Sequence, residues 1–415
     1  MSPYYDALEI RDVEERMAHQ FELLRDVLAQ TLDQSPYYGE LLAEFAGLRE
    51  IDAATLARMP LTRKSDLQSL QQEQPPFGRL AHLSPPTLTR LFASPGPIYE
   101  PETRRKDCWR FARALYAAGI RSGDLLHNCF SYHFTPAGAM IESGAFALEC
   151  AVFPAGTGQT ELQARTIADL RPRAYVGTPS FLKLILDKGD ELGLDLGSLQ
   201  KGLVSGEYFS PELRREFAAH GIDALQCYAT ADLGLIAYET AEGQGMILDE
   251  GVIVEIVRPG TGDPVPDGEV GEVVVTCLNP VYPLIRFATG DLSAILSGAS
   301  PCGRTNRRIK GWLGRADQSA KVRGMFVHPS QIAEVLARHD AAFKGRLVLN
   351  RDSRGLDEAC LQVETEATED AALLQALADS FQGVTKLRAE VSLCQPGFLA
   401  NDGKVIDDLR PIETP

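Results

Sequence analysis

Residues 150–186 read CAVFPAGTGQTELQARTIADLRPRAYVGTPSFLKLIL and alternate between two kinds of pattern. Residues 150–154 and 174–178 are short apolar runs next to glycine or proline, which is typical of buried strands. Residues 160–169 and 181–186 instead carry apolar side chains at the three- and four-residue spacing of amphipathic helices. Strands that alternate with helices along a chain build parallel sheets covered by helices, so this stretch predicts an α/β fold of stacked layers.

The chain on either side of this core has a different texture. Residues 13–32 have helical spacing and predict an N-terminal helical cap, whereas residues 252–278 are β-rich around a turn-prone segment and predict a β-rich subdomain. The C-terminal part has a separate α+β pattern. The length of the chain also favours more than one domain, so we expect a large domain over residues 1–316 and a small one over residues 317–415. Within the small domain, helices are predicted over residues 331–338 and 370–381, and strands over residues 345–350, 359–365 and 389–393.

The composition disfavours several classes of partner. The 57 acidic residues outnumber the 41 basic ones, and the net charge of −16 disfavours nucleic acids and anionic membranes. No apolar stretch approaches the roughly 20 residues that span a bilayer, and the start lacks a signal pattern, so we expect a cytoplasmic protein. The eight cysteines are scattered singly without a CxxC pair, which predicts reduced thiols.

Two short segments in the last third of the chain have side chains that suit a nucleotide. The segment Thr289-Gly290-Asp291 ends in a carboxylate, which is an acceptor for vicinal sugar hydroxyls. Further along, Gly314-Arg315 places a guanidinium where a phosphate or ribose could receive it. An aspartate in an ordinary turn and a surface arginine would explain either segment alone, so only the pair predicts a nucleotide site.

Five stretches, in the same order along the chain, are similar to the motifs of one enzyme family. They are residues 117–124 (AAGIRSGD), 178–180 (TPS), 286–291 (RFATGD), 314–317 (GRAD) and 323–332 (RGMFVHPSQI). Together they resemble the phenylacetate-CoA ligase branch of the adenylate-forming (acyl-CoA synthetase) enzymes. The resemblance covers nearly the whole chain, and the last stretch is the most characteristic of that branch.

The resemblance implies a two-step ligase for an aryl carboxylate such as phenylacetate, benzoate or an aminobenzoate. The acid attacks the α-phosphate of ATP to give an acyl-adenylate and pyrophosphate, and the thiol of CoA then displaces AMP. A carboxylate is a weak nucleophile towards a polyanion, so positioning and cationic stabilisation must supply most of the rate. Lys404 matches the family's C-terminal catalytic lysine, although VIDD at residues 405–408 replaces the arginine that follows it in the family. Asp317 and Gln318 match the hinge about which the small domain rotates.

The resemblance also implies ligand contacts. Asp291 matches the family's ribose-hydroxyl ligand, and Arg315 matches the arginine on the ribose and phosphate side. Gly206 and Glu207 resemble the adenine-side segment, although a turn at the end of a strand explains them nearly as well.

An aromatic stretch, residues 130–134, matches the border of the family's carboxylate pocket. Stacked rings at Phe130, Tyr132 and Phe134 would suit an aryl acid. Core packing explains any single one of these rings equally well.

The phosphate loop departs from the family's pattern. Its Ser/Thr/Gly-rich sequence aligns here with residues 93–101, where Pro95 and Pro97 lack backbone donors and Glu100 replaces a cation. A carboxylate beside a triphosphate is repelled unless a metal ion intervenes. We therefore expect this loop to hold pyrophosphate poorly.

The segment that follows in the family also departs, and reads Tyr228-Ala229-Thr230-Ala231-Asp232 here. Tyr228 can still flank the adenine, and Thr230 can replace the hydroxyl lost at Ala231 only if the backbone shifts. Asp232 can hold Mg²⁺, with a shorter arm than the family's glutamate.

Some relatives carry a structural zinc site whose positions correspond here to Thr240, Met246, Ser300 and Cys302. A single thiolate does not make a tetrahedral zinc site, so we predict no bound zinc.

Two alternatives stay open. The acyl group could pass to an amine or a carrier protein instead of CoA, or the protein could bind an acyl-adenylate, AMP or acyl-CoA without ATP chemistry. The altered phosphate loop favours the second alternative, whereas Lys404 and the hinge favour catalysis. The sequence leaves open the acid, the final acceptor and the oligomeric state.

Overall fold

The structure is a computed structural model that describes residues 2–48, 50–81, 88–95, 97–316, 318, 320–322, 325–351 and 357–410. The chain divides into two compact units. Unit 1 comprises Met1–Val254, Val275–Phe287 and Leu296–Trp312, and unit 2 comprises Glu255–Val274, Ala288–Ile295 and Leu313–Pro415. The sequence predicts a mobile C-terminal domain that begins at residue 317, and this boundary stays a prediction. In the described ranges, no helix is both long enough and apolar enough to cross a membrane.

The N-terminal part of unit 1 is helical, as its spacing predicts. Helix α1 (Val13–Gln34) begins after Asp12, whose carboxylate accepts two backbone N–H groups of the first turn. Ser35 ends α1, and its hydroxyl accepts the N–H of Tyr38 to begin α2 (Pro36–Leu41). The elements that follow are α3 (Ala53–Arg58), β1 (Thr62–Arg63) and α4 (Lys64–Glu73), with single 3₁₀ turns at Ala7–Ile10 and Ala43–Phe45.

A large sheet forms the body of unit 1. The elements in this part of the chain are β2 (Leu88–Ser94), β3 (Ile98–Thr103), α5 (Phe111–Ala117), β4 (Leu125–Asn128), α6 (Ala137–Ala147), β5 (Ala151–Phe153), α7 (Thr160–Leu170), β6 (Ala174–Gly177), α8 (Pro179–Leu192), β7 (Lys201–Val204), α9 (Pro211–Ala219), β8 (Asp223–Thr230), β9 (Gly234–Tyr238) and β10 (Met246–Leu248). Strands β5, β4, β6, β7 and β8 lie side by side in that order and all pair in parallel. The predicted parallel α/β layers are confirmed. Antiparallel β9 and β10 extend the sheet beyond β8.

Both faces of this sheet are buried. Successive side chains of a strand point to opposite faces, and Val176 and Leu203 join the apolar cluster that α5 and α6 cover. Tyr175 and Val204, their neighbours in sequence, join the cluster under α7 and α8. When helices cover both faces of a parallel sheet, the ends of its strands stay open. Ligands bind such sheets at the loops that follow the carboxyl ends of the strands.

Residues 252–309 are rich in strands and contribute to both units. The strands of this region are β11 (Val252–Val257), β12 (Gly271–Cys277), β13 (Leu284–Ser293), β14 (Ile295–Leu296) and β15 (Arg308–Ile309). Strands β1, β13, β12 and β11 form a four-stranded sheet in that order. The predicted β-rich character of residues 252–278 is confirmed.

The C-terminal part of unit 2 is a small α+β fold. Its elements are β16 (Ala320–Val322), β17 (Met325–Val327), α10 (Pro329–Ala337), β18 (Lys344–Arg351), β19 (Asp357–Glu364), α11 (Ala371–Thr385), β20 (Glu390–Cys394) and β21 (Ile406–Asp408). The sheet order is β20, β19, β18, β21, and Leu347, Leu361 and Phe381 are buried between the sheet and its helices. The helices and strands predicted between residues 331 and 393 are confirmed. Strand β21 was not predicted, because three residues show no periodicity.

Candidate functional site

Within unit 2, the structure brings together the two segments that the sequence pairs. Asp291 and Arg315 form an isolated antiparallel bridge, and Nη1 of Arg315 lies 2.9 Å from Oδ1 of Asp291. The Asp291 side chain is 11% exposed, whereas that of Arg315 is 54% exposed. A guanidinium held beside a carboxylate, with part of its surface open, can still donate to an incoming ligand.

Gly290 makes this approach sterically feasible. Its φ of +74° lies in the left-handed region, and a Cβ there would stand 2.6 Å from Nη2 of Arg315. Any larger residue would therefore strain the backbone and push the guanidinium away. The Thr289 hydroxyl donates to the carbonyl of Val273 at 3.0 Å and accepts the N–H of Asp291 at 3.1 Å, which fixes the turn.

Lys404, the predicted catalytic lysine, lies in the loop that precedes β21. Its side chain is 47% exposed, and Nζ lies 2.7 Å from Oδ1 of Asp407. Nε of Arg346 donates to the Lys404 carbonyl at 3.2 Å, so the backbone is tethered while the ammonium reaches solvent. Gln318, one of the two predicted hinge residues, contacts the same loop. Asp317, the other, lies outside the described residues.

Within unit 1, the predicted adenine-side residues lie at the carboxyl end of the parallel strands. Gly206 follows β7 with a φ of +83°, and the carboxylate of Glu207 accepts the backbone N–H of Ser180 at 3.3 Å, in the first turn of α8. Side-chain Nε2 of Gln226 donates to the Glu207 carbonyl at 2.9 Å. This edge of a parallel sheet is where α/β proteins bind ligands.

The remaining predicted residues lie on the next strand, β8, and in the turn that follows it. Tyr228 is buried beside a β-bulge, and the hydroxyl of Thr230 accepts the N–H of Leu233 at 3.2 Å. The Asp232 side chain is only 1% exposed, and its Oδ2 lies 2.7 Å from Nζ of Lys64. Its Oδ1 is buried and has no hydrogen-bond partner among the described residues. A buried carboxylate oxygen without a partner is costly, and a cation would satisfy it.

The segment in place of the family's phosphate loop is the antiparallel hairpin β2–β3. The N–H of Ala93 donates to the Phe134 carbonyl at 2.9 Å, that of Ser94 to Glu100 at 3.2 Å, and that of Tyr99 to Oε1 of Gln71 at 2.6 Å. Pro95 and Pro97 have no N–H, and Gly96 lies outside the described residues. Several backbone donors that a phosphate loop would offer are thus already used within unit 1.

Glu100 is the charged residue within the segment 93–101. It is 2% exposed and accepts hydrogen bonds from the backbone N–H and the hydroxyl of Ser94. Burial, followed by the charge of Asp232, raises the pKa of Glu100 to about 7, although Ser94 and Lys64 act in the opposite direction. A carboxyl that holds its proton near neutral pH repels phosphate less than an ordinary glutamate would.

The three aromatic residues predicted for an acid pocket have different surroundings. Phe130 packs against the apolar cluster under α5 and α6. The Tyr132 hydroxyl accepts from Nδ2 of Asn128 at 2.7 Å and donates to Glu142 at 3.0 Å. Phe134 is 68% exposed. Their role in binding an acid stays a prediction.

Lys64 and Gln71 are site residues that the sequence reasoning missed. Both lie on α4, far from Asp232 and Tyr99 along the chain. An isolated lysine or glutamine in a polar helix gives no signal of its own, because its partner is fixed only by the fold.

At the positions considered for zinc, the Ser300 hydroxyl lies 3.1 Å from the sulfur of Cys302. Over the described part of the chain, His, Cys, Asp and Glu form no group of three or more suited to a metal ion.

The chain is similar to known proteins in both sequence and fold. The model of the AMP-binding enzyme family matches residues 129–277. Phenylacetate-coenzyme A ligase of Thermus thermophilus is 32% identical over 383 residues, which cover 87% of this chain and 84% of that protein. The chain belongs to the phenylacetate-coenzyme A ligase family. The enzyme of that name from Aromatoleum evansii is 29% identical over 439 residues and 98% of each chain.

Solved structures of this fold include a 2-hydroxyisobutyryl-CoA ligase in two states. Its open form, bound to 2-HIB-AMP and CoA, is similar with a TM-score of 0.72 and 26% identity, over 96% of this chain and 92% of that one. Its thioesterification state has a TM-score of 0.71 over 99% and 93% of the two chains. The family and its fold are thereby established for nearly the whole chain.

Proposed function

We propose that this family member is an ATP-dependent aryl-carboxylate:CoA ligase that acts through an acyl-adenylate. The observation that carries the proposal is the contact between Asp291 and Arg315, at 2.9 Å. It sets an acceptor for ribose hydroxyls beside a donor for phosphate, which together suit the AMP portion of an adenylate.

Each side chain has a defined task in the first half-reaction. Asp291 accepts the ribose hydroxyls, and Arg315 donates to the ribose and phosphate side. Lys404 neutralises charge on the phosphoryl group as the carboxylate attacks the α-phosphate and pyrophosphate leaves. The Lys404 side chain is 47% exposed in its present ion pair with Asp407, and a phosphate can replace such a solvent-exposed partner at little cost.

For the adenine, Tyr228 is proposed to lie at its face, and Gly206 and Glu207 at its edge. Thr230 is placed in the same group, although its hydroxyl is already bonded to a backbone N–H. In the second half-reaction, the thiol of CoA attacks the acyl carbon and AMP leaves. A rotation of residues 317–415 between the two half-reactions is part of this proposal.

Asp232 fits a role in holding Mg²⁺. Such an ion keeps several waters and takes one or two carboxylates together with substrate phosphates. Oδ1 of Asp232 is buried without a partner among the described residues and is free to accept it. The ion supplies neutralising charge to the phosphates when bound. The other oxygen of this carboxylate, Oδ2, lies 2.7 Å from Nζ of Lys64.

The acid is proposed to be aromatic. The curated relatives are named for phenylacetate, and Phe130 and Tyr132 offer rings beside the predicted pocket. The 2-hydroxyisobutyryl-CoA ligase, which is also similar, is named for an aliphatic acid. Phenylacetate, benzoate and aminobenzoates are therefore tested together with an aliphatic hydroxy acid.

The β2–β3 hairpin favours a second candidate function, in which the protein binds an acyl-adenylate without turning over ATP. The N–H groups of Ser94 and Tyr99 are bonded to Glu100 and Gln71, so little of this loop remains for a pyrophosphate. Lys404 favours the ligase, because a passive binder has no need of an ammonium on a tethered loop.

Mass spectrometry separates the two candidates. The protein is incubated with ATP, Mg²⁺ and each acid, with and without CoA. The ligase proposal expects acyl-AMP without CoA and acyl-CoA with it. Tight binding of a synthetic acyl-AMP, with no product from any acid, would instead favour the binding protein. Acyl-AMP that persists with CoA but reacts with an amine or a carrier protein would identify a different acceptor.

A further inference from the structure

Gln318 holds the backbone on both sides of Lys404. Its Oε1 accepts the N–H of Val405 at 2.5 Å and that of Ile406 at 2.9 Å. Its Nε2 donates to the carbonyl of Gly403 at 3.0 Å. One side chain therefore bonds to the residue before the lysine and to the two residues after it.

The fourth hydrogen bond of Gln318 connects the Lys404 loop to the segment of Arg315. Nε2 of Gln318 also donates to the carbonyl of Arg315, at 3.4 Å. A carboxamide has two donor hydrogens and one acceptor oxygen, and all of this capacity is used. The orientation of the amide is fixed, because carbonyls lie on its nitrogen side and N–H groups on its oxygen side.

Other side chains hold the same loop from different directions. Arg346 donates to the carbonyls of Ala400 and Lys404, at 3.0 and 3.2 Å. Asn401 accepts the N–H of Val270 at 3.0 Å and donates to the carbonyl of Gly268 at 3.1 Å. Of these contacts, only those of Gln318 connect the loop to the residue that carries the predicted phosphate-side guanidinium.

We propose that Gln318 is a positioning residue for adenylate formation, which fixes the Lys404 loop to the segment of Arg315. It touches neither substrate nor reacting atoms and acts only through the backbone of residues 403–406. The inference rests on the proposed ligase function and deepens it. Gln318 is also one of the two predicted hinge residues, and its side chain contacts both the carbonyl of Arg315 and the loop of Lys404.

The consequence differs between the two half-reactions. Lys404 is needed where charge develops on the phosphoryl group, and a misplaced ammonium loses much of its effect. The attack of CoA on a ready-made acyl-adenylate makes no such demand on Lys404. Loss of the Gln318 contacts should therefore slow the first half-reaction and spare the second.

The experiment measures the half-reactions separately in Gln318→Leu and Gln318→Glu. The leucine loses all four hydrogen bonds, whereas the glutamate keeps the two acceptor contacts and loses the two donor contacts. Acid-dependent exchange of pyrophosphate into ATP should fall about tenfold or more in the leucine variant. It should also fall in the glutamate variant, because its second carboxylate oxygen would face the carbonyls of Arg315 and Gly403. Conversion of synthetic acyl-AMP to acyl-CoA should stay within about twofold of the wild-type rate, since positioning of Lys404 is not required for it.

Gln375→Leu is the matched control, since Gln375 is exposed on α11 and bonds only to Asp379 in the contacts described for it. It should leave both rates unchanged. Equal losses in both half-reactions of Gln318→Leu would mean a merely structural role and overturn the proposal, as would unchanged exchange. If the wild-type protein itself gives no exchange with any acid, the ligase function fails first, and this inference fails with it.

Discussion

Replacement of Glu100 by glutamine should stabilise the protein at alkaline pH and not at acidic pH. Glu100 is buried in β3 beside the buried carboxylate of Asp232, and these two causes raise its pKa from 4.5 to about 7. The neutral glutamine keeps the shape of the acid and can both accept from and donate to Ser94. It therefore imitates the protonated form of Glu100 at every pH.

The magnitude follows from the pKa. At about 1.4 kcal/mol for each tenfold change in proton affinity, a pKa of about 7 in place of 4.5 corresponds to about 3 kcal/mol. Between pH 4.5 and pH 7 the folded protein binds more protons at this site than the unfolded chain does. Stability from this group is thus lost as the pH rises through that window, and above pH 7 the whole cost of ionised Glu100 is present.

The assay is thermal unfolding of the wild-type protein and of Glu100→Gln at pH 5 and pH 8.5. We expect similar melting temperatures at pH 5, and at pH 8.5 a gain of roughly 5 °C for the variant, from about 3 kcal/mol and the usual entropy of unfolding. Glu102→Gln is the control in the same strand, because it removes the partner of Arg90 and should not stabilise at either pH. The same temperature difference between wild type and Glu100→Gln at both pH values would refute the reasoning.

Three further outcomes are expected. Lys404→Ala should abolish acyl-AMP formation and leave binding of AMP within about twofold, since its charge acts on the transferring phosphoryl group; unchanged formation in the mass spectrometric assay would show that the lysine is misassigned. Asp291→Ala should weaken AMP binding about tenfold or more, because hydrogen bonds from ribose hydroxyls to a carboxylate are lost; isothermal titration calorimetry checks this, with an equal affinity as the contrary result. Phe381→Ala should destabilise unit 2 by about 3–5 kcal/mol, because it leaves a cavity in a fully buried part of the core; urea unfolding followed by circular dichroism tests it, and a loss below about 1 kcal/mol would contradict the packing described.

Much of the fold could be predicted from the sequence because its periodicities are strong. The runs at residues 150–154 and 174–178 became the parallel strands β5 and β6, and the spacing at residues 13–32 became α1. Short elements such as β21 escaped, since a few residues carry no periodic pattern.

The candidate site could be predicted only where its residues stand in motifs. Asp291 and Arg315 were paired from the sequence and lie in contact. Lys64 could not be paired with Asp232, nor Gln318 with the backbone around Lys404, because each of these contacts joins distant parts of the chain. The sequence predicts that residues 93–101 make a poor phosphate loop. It does not show that Gln71 accepts the backbone N–H of Tyr99 in that segment.

The most direct test of the ligase function is the acid-dependent exchange of labelled pyrophosphate into ATP by the wild-type protein. Only an enzyme that forms an acyl-adenylate reversibly catalyses this exchange. The account predicts exchange with at least one aryl acid, and its replacement by net acyl-CoA formation when CoA is added. Absence of exchange with every acid, from a folded protein that still binds AMP, would contradict it.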